Sequence, residues 1–471
     1  MDKYLLYLIY FIASLKAGLL GWPYFWWHLR SRGQGESFAE RLGLKLANGS
    51  PSEGTPRIWL HGVSVGEILS APPLLRELKN LFPDASFIVT TGTETGQAQA
   101  RRHLEPLGAY VCYFPLDVPW AVQRYLNHLK PDIFIALESE LWPNFLISAH
   151  RRGVRLALLN ARLSDKSFRR FSLFKRYVIE IYQLFDAIAA GSRRDYDRLR
   201  CLGLGEGKVH LTGNLKIERL LARQAETQPG APLPSQAVSV VKDSETSDVQ
   251  AKIGGQDGSV SSAMREKLNL DGQPVFLAAS THPGEDEAVL AAYEQLRTPC
   301  PALVLLLAPR HPERAGELEK LIRQKGLACQ RWHRLKAGTE RRAQPVVIID
   351  TIGDLMNLYS VADLAFVGGS LVPHGGQNIL EPAAWGVAPL YGPHLSNFRW
   401  AQEILEEARA GIMVRDAESL SVEAKTLLDN PALRREMGAR ARASLLPHQG
   451  AARRQAELIG GLFGQRSPTH A

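Results

Sequence analysis

Short runs of aliphatic and β-branched residues alternate with longer amphipathic stretches along most of this chain. The runs Arg57–Val63, Ser86–Thr91, Tyr110–Phe114, Asp132–Leu137, Arg155–Asn160 and Ala187–Ala190 predict strands. Ile68–Leu81 and Ser167–Phe185 predict helices between them. From Leu221 to Ser262 the pattern breaks into Gln, Pro, Ser, Asp and Gly with little apolar periodicity, which predicts a polar linker. The alternation then resumes. Val275–Ala279, Ala302–Leu307, Val346–Ile349, Leu364–Val367 and Ala388–Leu390 predict strands, with helices over Glu285–Leu296 and Glu313–Lys325. Two such halves predict an α/β chain of two Rossmann-like domains facing a cleft, with ligands at the carboxyl ends of the strands. A last helical segment, Arg453–Phe463, leaves open whether it packs back across the domains.

The N-terminus follows a different pattern. Tyr4 to Leu15 is apolar apart from Ser14; Lys16 follows, then an aromatic-rich stretch to Trp27. Trp22, Trp26 and Trp27 precede Arg30 and Arg32, the order of an interfacial belt followed by cytoplasmic positive charge. A membrane anchor is expected here, with the body facing the cytoplasm. Lys16 would have to snorkel, so a helix lying in the interface competes with a single span. Aromatic bulk stands where a signal peptide would need small residues for cleavage. The anchor precedes the first polar motif, so neither sheet is expected to need it.

Composition narrows this picture only a little. The chain has 471 residues, 45% hydrophobic and 22% charged, ordinary values for a packed protein of two domains. Its formal net charge of +8 suits an anionic membrane face or substrate. Neither zinc-finger spacing nor an RNA-binding aromatic signature is present, so no nucleic-acid partner is expected. Cys112, Cys201, Cys300 and Cys329 form no CxxC pair and read as reduced, mostly buried thiols.

The chemistry gathers at strand ends. In Trp59-Leu-His-Gly-Val-Ser-Val-Gly-Glu67 a strand runs into a helix start. Glu67 there could act as a general base, or could only complement the helix dipole. In Leu137-Glu-Ser-Glu-Leu-Trp-Pro-Asn144, Glu138 and Glu140 share strand parity. Asn160-Ala-Arg-Leu-Ser-Asp-Lys-Ser167 and Gly213-Asn-Leu-Lys216 bring further polar groups to the same edge. Lys216 could balance anionic charge or be a solvated surface group. In the second half, Ala279-Ser-Thr-His-Pro-Gly-Glu285 and Ala308-Pro-Arg-His-Pro-Glu-Arg314 follow strands, and Arg310 offers a forked donor for phosphate. A glycine-rich turn from Val367 feeds a helix expected to start near Asn378, whose free N–H groups could bind phosphate without metal. Asp195-Tyr-Asp197 spells DxD but reads as a solvated helix face.

The ordered set WLHGVSVGE, ESELWPN, NARLSDKS, GNLK, STHPGE, PRHPER, GGSLVPHGGQNILEP and GPHLSNF resembles the 3-deoxy-D-manno-octulosonic acid (Kdo) transferase family, from about Phe38 to Asn397. The resemblance implies a GT-B glycosyltransferase: an N-terminal anchor over 1–33, an acceptor domain over 34–220, a linker over 221–262 and a CMP-Kdo domain over 263–471. It implies inverting transfer of Kdo from CMP-Kdo to a lipid A precursor at the inner membrane, with no cofactor and no metal. Glu67 matches the family's proton acceptor, and Glu138 and Lys216 match groups that stabilise the transition state. CMP contacts map to Pro309 and Arg310, to Ile352, Gly353 and Asp354, and to Asn378, Ile379, Leu380 and Glu381. The 221–262 stretch is longer and more polar than the family's usual connection.

Overall fold

The computed structural model describes residues 10–12, 14–16, 35–45, 50–226 and 258–464. The chain divides into two compact units, Met1–Arg219 with Gly450–Ala471, and Leu220–Gln449.

The first unit is built on a seven-stranded parallel sheet in the order β3-β2-β1-β4-β5-β6-β7. Its strands are β1 Arg57–Gly62, β2 Ser86–Thr91, β3 Ala109–Tyr113, β4 Ile133–Leu137, β5 Arg155–Ala161, β6 Ala187–Ala190 and β7 Val209–Leu211. Buried on both faces, the strands read as continuous apolar runs. Side-chain alternation then divides them between two cores. Ile58, Leu60, Ile133 and Ile135 enter one core. Trp59, Phe134, Leu156 and Leu158 enter the other.

The second unit repeats the design in the order β10-β11-β9-β8-β12-β13-β14. Here β8 is Val275–Thr281, β9 Val304–Pro309, β10 Cys329–Arg331, β11 Val346–Ile348, β12 Leu364–Val367, β13 Pro389–Tyr391 and β14 Ile412–Met413. In each sheet the strand order reverses beside the unit's first strand, between β1 and β4 and between β8 and β12. Crevices at the carboxyl ends of such points are where open α/β sheets hold ligands.

Several expectations change. The C-terminal helix Ala451–Gly464 belongs to the first unit, not to a second domain running to 471. Ala452, Ala456 and Ile459 join the core that holds Leu74 and Leu78, and Phe463 stacks edge-on to Phe82 at 5.1 Å. The expected linker is helical at both ends, in Leu215–Glu226 and Gly258–Lys267; the rest of it lies outside the described residues. The single helix expected over Ser167–Phe185 is two, Asp165–Leu173 and Lys175–Gln183, broken at Phe174. Of the four thiols, all free, only Cys112 is buried.

Most of the anchor expected over 1–33 lies outside the described residues. Among the described residues, no helix is long and apolar enough to cross a membrane. The short helical piece that is described does not stand apart from the body. The Tyr10 hydroxyl donates to Asp117 Oδ2 at 2.8 Å, and Asn144 Nδ2 donates to Ser14 Oγ at 2.8 Å. Asp117 also caps helix Pro143–Arg151, accepting from the N–H groups of Asn144 and Phe145 at 3.1 and 2.8 Å.

Candidate active site

At the reversal point of the first sheet, β1 ends at Gly62 and helix Val65–Leu81 begins two residues after Val63, with Ser64 as its N-cap. Glu67 occupies the third helical position, where a carboxylate reaches back to the cap. Its Oε1 accepts from Ser64 Oγ at 2.6 Å and its Oε2 from the Val63 N–H at 2.8 Å. The side chain is therefore held still and largely out of solvent. Burial, then the Glu138 charge, push the Glu67 carboxyl above its ordinary value, while Ser64, Val63 and Lys216 pull the other way.

Across the reversal point, Glu138 follows the last residue of β4 and takes a left-handed backbone at φ 64°. For a residue other than glycine that costs on the order of 1–3 kcal/mol, and such strain gathers at functional sites. Its carboxylate forms an ion pair with Lys216 Nζ. Lys216 is no freely solvated lysine: it lies alongside Gly66, next to Glu67. Two asparagines put it there. Asn160 Oδ1, at the end of β5, accepts from the Leu215 N–H at 3.1 Å, and Asn214 Oδ1 accepts from the Lys216 N–H at 2.9 Å. The NARLSDKS and GNLK motifs thus build the start of the helix that carries Lys216.

Glu140 completes the group. Burial, then the Glu67 carboxylate, raise it to about 7. Three carboxyls and one lysine thus gather at the carboxyl end of the sheet, and the neighbouring Glu67 and Glu138 carboxylates both add to the proton affinity of Glu140.

In the second unit the reversal point is organised by a residue that the sequence offered only as part of a motif. Glu285 is fully buried, and its carboxylate accepts four backbone N–H groups: His282 at 2.9 Å, Gly369 at 2.6 Å, Ser370 at 2.9 Å and Leu371 at 2.8 Å. It ties the turn after β8 to the glycine-rich turn after β12. Gly368 is required there, since a Cβ would lie 2.6 Å from the Ser280 carbonyl and 2.8 Å from Glu285. The N–H groups of residues 369–371 are consequently occupied by protein.

The helix expected to begin near Asn378 is Leu380–Ala384, and the Asn378 side chain already accepts from the Leu380 N–H at 3.2 Å. Ile379 and Leu380 are fully buried, so neither presents an exposed side chain to a ligand. Arg310, directly after β9, is exposed, whereas Pro309 is buried. Ile352 is 88% exposed and stands on the open surface with Gly353. The Asp354 carboxylate faces inward, accepting from Lys336 Nζ at 2.8 Å and Trp332 Nε1 at 3.1 Å. Burial raises it, but the hydrogen bonds from Lys336, Thr351 and Trp332 outweigh that and hold it below its ordinary range.

Beside Arg310 the structure gathers three histidines that sequence spacing does not connect. His282 stacks on His374 with centroids 4.3 Å apart, and the His311 ring is 6.2 Å from His282. Burial, then His374, hold His282 below its usual value. Asp195 of the DxD is likewise not on a solvated face: its carboxylate accepts from the Leu163 N–H at 2.7 Å and from Ser192 Oγ at 2.5 Å.

Two parallel α/β units, each with polar groups gathered where its strand order reverses, define a build of two Rossmann-like domains. The fold is that of UDP-GlcNAc 2-epimerase from Neisseria meningitidis, with a TM-score of 0.55 at 13% identity, covering 86% of this chain and 99% of the other. The family model for 3-deoxy-D-manno-octulosonic-acid transferase (kdotransferase) matches residues 36–219. The 3-deoxy-D-manno-octulosonic acid transferase of Haemophilus influenzae is 32% identical over 428 residues, 90% of this chain and 91% of that one. The transferase of the same name from Bordetella pertussis is 30% identical over 469 residues, 97% of this chain and 99% of its own. The chain belongs to the Kdo transferase family and is a glycosyltransferase.

Proposed function

We propose that this enzyme transfers Kdo from CMP-Kdo to the distal glucosamine hydroxyl of a lipid A precursor, with inversion, at the cytoplasmic face of the inner membrane. The observation that carries the mechanism is the fixed Glu67 carboxylate beside the Glu138–Lys216 ion pair. Glu67 takes the acceptor's hydroxyl proton as the oxygen attacks the anomeric carbon. Its raised proton affinity suits that step. The bond from the anomeric carbon to the phosphate oxygen breaks, and CMP leaves with the electron pair. Oxocarbenium character develops on the sugar, where the preorganised charges of Glu138 and Lys216 act.

The donor is assigned to the second unit. Arg310 supplies a charged fork for the phosphate. Pro309, the Ile352–Asp354 turn and the backbone from Asn378 to Glu381 supply the remaining contacts. Asp354 takes part through its backbone and holds the turn through its side chain. No step in this scheme calls for a metal or cofactor.

Arg310→Ala is expected to weaken CMP binding by roughly 1.5–3 kcal/mol, about tenfold to a hundredfold, with melting unchanged. Calorimetric titration of the full-length protein with CMP measures this. Unchanged affinity would place the nucleotide elsewhere.

A further inference from the structure

The first unit contains a cavity of about 500 Å³ that the proposed mechanism does not use. Leu141, Trp142, Phe171, Phe174, Val178 and Ile181 give it an apolar wall, and Tyr10, Glu140 and Arg170 also line it. Its volume falls within the ~300–1,000 Å³ typical of small-molecule sites. We propose that it receives one acyl chain of the lipid acceptor, and that the N-terminal segment around Tyr10 forms one of its walls. This rests on the acceptor being an acylated glucosamine lipid.

Three observations choose that occupant. Glu140 lines the cavity and interacts electrostatically with both Glu67 and Glu138, so the apolar space adjoins the carboxylate group. A chain seated there would leave its polar head beside the proposed base. The apolar wall also continues outward, with Leu173 81% and Phe174 58% exposed at the break between the two helices. Finally, Arg169, Arg170, Lys175 and Arg176 are exposed around that break. Cations surrounding an apolar opening fit an anionic amphiphile.

The N-terminal wall is held by the same residue that orients the facing loop. Asp117 accepts from the Tyr10 hydroxyl and also caps the helix that starts at Pro143, another lining residue. Tyr10 is therefore part of the acceptor site.

The test uses the full-length protein in detergent with CMP-Kdo and two acceptors, the acylated glucosamine disaccharide and its fully deacylated form. Val178→Trp fills the cavity, and Tyr10→Phe removes only the hydroxyl that Asp117 holds. The preference for the acylated acceptor, as a ratio of kcat/KM values, is expected to fall at least tenfold in the first and severalfold in the second. In wild-type protein, an acceptor carrying a diazirine at the end of one chain is expected to label peptides spanning Phe171–Ile181 and Tyr10. An unchanged preference in both variants, or labelling confined to other regions, would overturn the proposal. Wild-type protein that uses neither acceptor would instead overturn the reading of function on which it rests.

Discussion

Glu67→Gln is expected to lower kcat/KM for transfer by at least ~10²–10⁴-fold while CMP affinity stays at the wild-type value. Gln preserves the size of the side chain but cannot take the acceptor's proton. The change is not silent in the fold. Two donors, Ser64 Oγ and the Val63 N–H, face the two carboxylate oxygens, and one of them must now meet an amide NH₂. The local loss should be about 1 kcal/mol, too small to unfold the unit. CMP titration separates the two effects, because Arg310 lies in the other unit. In the wild-type protein the same group should impose an acid limb. With its proton affinity raised by burial and by Glu138, Glu67 takes up a proton and loses base function at a higher pH than an ordinary glutamate would. A mutant that turns over near the wild-type rate would remove Glu67 from the mechanism.

Glu285→Ala is expected to destabilise the second unit strongly. Removing the carboxylate strands four backbone donors inside a site with no solvent access. At about 1–3 kcal/mol for each unsatisfied donor, with partial relief by water entering the space, a loss of at least ~3 kcal/mol follows. For a unit of this size that corresponds to roughly 2–4 °C in Tm per kcal/mol. Glu285→Gln should fall in between, since its carbonyl oxygen can serve only some of the donors. Thermal unfolding followed by differential scanning calorimetry reads both. If both variants melt with the wild-type protein, the carboxylate does not hold the glycine-rich turn.

The central strands were legible because burial on both faces leaves an unbroken apolar run, as in Ile133–Leu137 and Val304–Ala308. Their carboxyl ends were legible too, since polar residues reappear abruptly there, and that located Glu67, Glu138 and Arg310. The edge strands β7, β10 and β14 were not. With two or three residues each, they carry too few positions for any period to show. The role of Glu285 was hidden for a different reason. At the first position of helix Glu285–Arg297 it looks like any acidic residue that complements the dipole. Only the return of the chain 84 residues later brings Gly369 within its reach. The pairing of His282 with His374, and the placement of helix Ala451–Gly464 in the first unit, depend in the same way on long-range closure. Asp195 looks solvated in the sequence because nothing local marks a helix-cap acid that also serves a distant loop.

Mass spectrometry of the products formed from CMP-Kdo and a purified lipid A precursor tests the central claim most directly. The wild-type enzyme should yield acceptor carrying added Kdo together with free CMP, and the Glu67→Gln protein should yield neither. Acceptor left unmodified by the wild-type enzyme, with turnover of a UDP-sugar in its place, would contradict the account.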